Sequence, residues 1–227
     1  MPRYTYNHVH DTIDTRDWVF SSNLIVKSKL PNQFDLRTTG YVPPVLNQQS
    51  LGSCGATQIS NALRFCLRKQ NRMDFQPSRL FIYYFARLVD NFELDQDTGI
   101  TIRGGLKAIK KYAACSEIWW PYIIRNFAIK PHDQCIKAAS QHIGGLSYYS
   151  IPRNIESLKQ ALFNGFPIII GIQIYESLES DKTLQTGIIS IPDITKEKNY
   201  GGHCVALYGY DDSSKTFIMM NSWGTSV

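Results

Sequence analysis

The 227-residue sequence lacks any apolar run of the 18 residues or more that a membrane-spanning helix needs, and it has no C-x-x-C pair, no internal repeat and no low-complexity tract. Each lack removes a class. There is no membrane span, no zinc clasp of the familiar kind and no solenoid. The first residues, MPRYTYNHVHDTIDTRDW, carry no apolar core of a secretion signal, so the expected location is intracellular, in the cytoplasm or inside a particle assembled there. Acidic residues are only slightly outnumbered, 19 against 24 basic, and the net charge of +5 is scattered. The densest basic cluster, LRKQNR at 67–72, reads as a solvated helix end, so no nucleic-acid partner is expected.

The five cysteines, Cys54, Cys66, Cys115, Cys135 and Cys204, are odd in number and widely spaced. That excludes a full disulfide framework and favours a reducing compartment, where a thiol with a role has a chemical one. His8 and His10 make an H-x-H pair on a polar arm, too few ligands for a metal site. Neither metal nor cofactor is expected.

What is present is 43% hydrophobic sequence, enough for a substantial core. Residues 1–30 show no sustained period and read as an N-terminal arm, with a boundary near Pro31. From Cys54 the apolar positions Ile59, Leu63 and Leu67 follow a helical period, which predicts a helix over 54–69. Ser78 is placed to cap a second helix, RLFIYYFARLVD. A third is predicted over 103–114, and a fourth from Asn154 to a left-handed stop at Gly165. Beyond Gly165 the texture changes to PIIIGIQI (167–174), HCVALYGY (203–210) and KTFIMMN (215–221), short β-branched and aromatic runs that predict strands. Helices first and strands after imply an α+β fold of two lobes, with a cleft between them as the natural site.

Cys54 is set in QQSLGSCGA, directly before a helix. There the positive end of the helix dipole and free N–H groups favour a thiolate, and a neighbouring imidazolium would lower the thiol pKa further. If Asp211–Ser214 turn the last hairpin, paired residue numbers sum to about 425, which sets His203 within one or two residues of a position opposite Asn221. An amide beside an imidazole fixes the ring and frees its other nitrogen to take a thiol proton. Attack on a carbonyl also needs donors for the oxygen that becomes charged: the N–H of Cys54 supplies one, and the side-chain amide of Gln48 the other. Gly52 leaves room for a substrate backbone.

Three blocks, LPNQFDLRTTGYVPPVLNQQSLGSCGATQISNALRF, GGHCVALYGYDD and NSWG, together resemble the papain-like cysteine proteases, over roughly residues 31–224. His203 lies 149 and Asn221 167 residues beyond Cys54, against about 130–150 in that family. The resemblance implies a papain-like two-lobe fold over 31–227, helical first and antiparallel β-rich second. It implies Cys54 as nucleophile, His203 as its base, Asn221 as the orienting amide and Gln48 in the oxyanion hole, with Trp223 shielding the His–Asn bond. It also places Gly52, Ser53, Gly99, Gly202 and Trp223 along the substrate cleft. The reaction implied is hydrolysis of a peptide or protein substrate through an acyl-enzyme, by a monomer as the default.

The sequence also departs from that pattern. Leu51 stands where the family usually has a disulfide-forming cysteine, and Gly55 where an aromatic residue is usual. The family's domain normally runs some tens of residues past NSWG, so a shortened second lobe is expected. HDTIDTRDW (10–18) resembles a leader segment of bacterial and viral members, which suggests an arm across the cleft. The alternative function is a catalytically impaired relative that binds peptides, and a lesser one is an amidase-like or transglutaminase-like thiol enzyme.

Overall fold

The computed structural model describes residues 2–20, 29–141 and 146–225. Helix α1, Cys54–Lys69, stands at its centre and is buried almost all round over its first two turns. Ile59, Leu63 and Leu67 face one core, shared with α2 (Arg79–Val89) and α3 (Ile102–Tyr112). Phe65 and Cys66 face a second core, shared with the sheet and with α5, Ile155–Phe163. A helix apolar on one stripe lies on a surface; one apolar on two sides joins two layers.

The caps follow local chemistry. The Ser78 hydroxyl accepts from Phe81 N at the start of α2 and donates to Trp120 O at 2.6 Å. Thr101 caps α3 at Gly104, and Asn154 caps α5 at Ser157. Helix α3 starts and ends earlier than its periodicity suggests, because Ala113 turns left-handed at φ 62° and stops it. Gly165 does the same after α5 at φ 81°. Two further helices, α4 (Asp133–Ser140) and α6 (Asp181–Thr186), have no counterpart among the sequence expectations.

The sheet is antiparallel and built on one long strand, β3, Asn199–Asp211. Along one edge run β2 (Ile168–Tyr175) and then β1 (Gln33–Asp35); along the other lies β4 (Thr216–Met220). Every residue of β3 from Gly202 to Tyr210 is buried, since α1 and α5 pack against it. The hairpin register corrects the expectation: pairs sum to 426 at Ala206↔Met220 and to 427 beyond an irregularity at Leu207/Gly209. His203 therefore has no partner on β4, which ends at Met220.

The fold is α+β: α1 to α3 lie in the first half of the chain and β2 to β4 in the second, while α4 to α6 also fall in the second half and β1, from the first, completes the antiparallel sheet. Residues 2–20 lie across both halves as an arm. It is pinned near both ends, by the Asn7↔Gly202 and Val19↔Ser150 bridges. Arg103 adds an ion pair with Asp17 and hydrogen bonds to Asp11 and Thr12.

Candidate active site

Cys54 opens α1 and is fully buried. The backbone N–H groups of Cys204, Gly55 and Cys54 itself lie near its sulfur and favour its charged form. The helix start and β3 thus meet at the thiol, one residue from His203. The His203 ring is also fully buried; its Nε2 lies 2.8 Å from Asn221 Oδ1, and its Nδ1 has no hydrogen-bond partner. Asn221 reaches the ring from just past the end of β4, not from a paired position on it. Its Oδ1 also accepts Ser222 N at 2.8 Å, which holds the amide in one orientation.

In this covered site, burial works against the ionised thiol expected from the sequence. Burial pushes the Cys54 thiol up to about 11, against the lowering by its three N–H donors. Burial likewise drops the His203 imidazole to about 4, although Asn221 favours its charged form. Desolvation disfavours both charges.

Gln48 is also fully buried. Its Oε1 accepts Ser222 Oγ at 2.6 Å, which turns Nε2 toward Leu51 O at 3.0 Å and Thr5 O at 3.2 Å. The loop carrying it is laced to the far end of the chain by Gln48 N–Ser222 O and by the Asn47↔Trp223 bridge. From the other side Tyr122 Oη donates to Gln48 O at 2.7 Å and pairs with Ser53 Oγ at 2.6 Å. Arg79 lies over the Tyr122 ring, donates to Asn47 O and is ion-paired with Glu117. Ser53, expected along the cleft, instead turns its hydroxyl into the interior and braces the loop.

The cleft is filled by the chain's own residues 4–9. Tyr4 stacks on Trp223 with ring centres 4.5 Å apart and planes within 4°. Thr5 offers its carbonyl to Gln48, and Tyr6 sets its ring against His203. Asn7 and His8 pass between Gly99 and Gly202: His8 N donates to Gly202 O at 2.9 Å, and Val9 N to Ile100 O at 3.2 Å. Both glycines are required for this passage. A Cβ at Gly99 would sit 1.6 Å from Asn7 O, with φ already +73°, and one at Gly202 would sit 2.3 Å from His8 O. His8 fills a recess floored by Gly171, whose added Cβ would lie 2.2 Å from His8 Nε2. Within the 1–30 arm expected from sequence to lie across the cleft, residues 4–9 are the ones that occupy it. Residues 11–17 bind Arg103 instead.

The site residues named from sequence, Cys54, His203, Asn221, Gln48, Gly52, Gly99, Gly202 and Trp223, lie around this one cleft. Tyr4 to Val9, Asp97, Tyr122 and Ser222 were not anticipated. Among the described residues no His, Cys, Asp and Glu cluster is suited to a metal ion, and no helix is long and apolar enough to cross a membrane.

A family profile for papain family cysteine proteases matches residues 30–227. The chain belongs to the papain family of cysteine proteases. Among its relatives is an uncharacterized peptidase C1-like protein of Acanthamoeba polyphaga mimivirus, 39% identical over 203 residues that cover 85% of this chain and 65% of the relative. Cathepsin K of Mus musculus is 26% identical over 231 residues, covering 97% of this chain and 61% of that protein. The chain thus spans less than two thirds of the length of these curated relatives. Among solved structures, the cysteine protease xylellain from Xylella fastidiosa superposes with a TM-score of 0.85 at 31% identity, over 99% of this chain and 87% of that one. The papain-family architecture accounts for why α1 and β3 meet where they do.

Proposed function

We propose that this papain-family chain is a cysteine endopeptidase and that the form described here is its self-covered state. The observation that carries the reading is the pairing of His203 Nε2 with Asn221 Oδ1, which leaves Nδ1 as a free base beside the β3 residue that holds the Cys54 sulfur. Once a peptide replaces residues 4–9 and water re-enters, Nδ1 takes the thiol proton and the sulfur attacks the scissile carbonyl. The charged oxygen receives the N–H of Cys54 and Nε2 of Gln48, which is already turned by Ser222. The imidazolium gives its proton to the leaving amine, and water then releases the acyl group from sulfur. A peptide or protein is the matching substrate, because the cleft already accepts an extended backbone between Gly99 and Gly202.

The test is reaction of the Tyr6→Ala chain, in which the cover over His203 is loosened, with an epoxide inactivator of thiol proteases, followed by mass mapping. Selective modification of Cys54 at neutral pH is expected. Labelling of Cys54 no faster than that of Cys66 would overturn the reading in favour of a peptide-binding relative.

A further inference from the structure

The carboxylate of Asp97 lies at the junction between the nucleophile and the cleft wall. Its Oδ2 accepts the N–H of Gly52, two residues before Cys54, at 2.9 Å. Its Oδ1 takes the hydroxyl of Tyr83, and that hydroxyl accepts the N–H of Gly99 at 3.0 Å. Tyr83 is fully buried on α2, so the relay has no water to compete with it. Two mobile kinds of backbone, a turn before a helix and a glycine at positive φ, are thereby fixed to one side-chain pair. Gly52 admits the carboxylate: a Cβ there would lie 3.0 Å from Asp97 Oδ1.

The pair is itself anchored. Arg87 stacks over the Tyr83 ring at 4.4 Å and donates to Leu94 O, Gln96 O and Phe127 O, which fixes the loop that presents Asp97. Charged and titratable groups facing the carboxylate are Tyr83 and Arg87 of α2, Cys54 of α1 and Tyr122 of the bracing loop. The arm meets Asp97 only through its backbone, where Asn7 Nδ2 donates to Asp97 O at 2.7 Å.

We propose that Asp97, acting through Tyr83, is a positioning residue for the reaction: it holds the Cys54 turn and the Gly99 wall in one frame, so that nucleophile and bound backbone are aligned together. The inference rests on the endopeptidase reading. Its negative charge near the thiol gives it a signature a merely structural bond would lack, because removing that charge makes the thiolate easier to form.

The test compares wild type with Asp97→Asn, Asp97→Ala and Tyr83→Phe, following iodoacetamide modification of Cys54 in the full chain from about pH 5 to about pH 10. Asp97→Asn is expected to move the midpoint of the profile to lower pH. Asp97→Ala and Tyr83→Phe are expected to lower cleavage of a peptide amide about tenfold through kcat, and Asp97→Asn, which can still accept Gly52 N–H, to recover part of that loss. Alanine and phenylalanine variants within about twofold of wild type in kcat, or an Asp97→Asn variant that recovers none of the loss, would overturn the proposal while leaving the protease reading intact. A Cys54 no more reactive than Cys66 in the uncovered Tyr6→Ala chain would overturn both. If Asp97→Ala does not fold, Tyr83→Phe, which removes one hydroxyl, decides.

Discussion

Tyr6 of the arm meets the imidazole of His203 edge to face, with ring centres 5.3 Å apart, and ties itself down through a hydrogen bond from its hydroxyl to Glu179. The residue that covers His203 is thus anchored outside the cleft. Tyr6→Ala removes both contacts, and an aromatic pair is worth about 0.5–1.5 kcal/mol beyond its burial. Modification of Cys54 by an epoxide inactivator should accelerate about tenfold, measured as a second-order rate against wild type. An unchanged rate would mean that the arm does not limit access.

Acid should loosen the covered state. His203 is held near 4 in the fold against 6.5 for a free histidine, and burial also lowers His8. The folded state then binds fewer protons than the unfolded one, so this contribution is complete above about pH 6.5 and is lost as pH falls toward 4. For His203 the shift corresponds to about 3 kcal/mol. Thermal melting should therefore fall across that window. Replacing His8 by Gln should flatten the fall, with hydrogen exchange of residues 4–9 as the local readout.

Catalytic substitutions should separate by role. Cys54→Ala should abolish peptide hydrolysis. Asn221→Ala leaves the imidazole in place but free to turn, and should cost about a hundredfold in kcat. Steady-state kinetics on a fluorogenic peptide amide checks both, and an active Cys54→Ala protein would exclude the thiol mechanism.

Ser78→Ala should destabilise the fold without touching the cleft. It removes the cap of α2 and the bond to Trp120 O together. The expected loss is about 1–2 kcal/mol, read from denaturant unfolding with the slope unchanged.

What could be seen in the sequence followed from local chemistry. Helix α1 begins at Cys54, and the Ser78 and Asn154 caps sit where hydroxyl and amide side chains precede apolar periods. The short helices α4 and α6 were not visible. Six or eight residues carry too little period, and α4 is held by burying Cys135 and Ala139 in the first core. The hairpin register differed from expectation because an irregularity at Leu207/Gly209 adds a residue that no turn signal announces. Asp97 and Ser222 were invisible for a different reason. Their partners are a backbone N–H at Gly52 and an amide at Gln48, 45 and 174 residues away, and nothing in either neighbourhood encodes such a meeting.

Strand β1 pairs Gln33 with Asp211, and α1 delivers its thiol to the N–H of Cys204. The sheet and the site are therefore closed by the same late stretch of polypeptide. A growing chain that has not yet released residues 199–211 has neither a partner for β1 nor the β3 backbone beside Cys54, so neither sheet nor site can form until late in synthesis. By the time those residues emerge, Tyr4 to Val9 have long been available to occupy the groove.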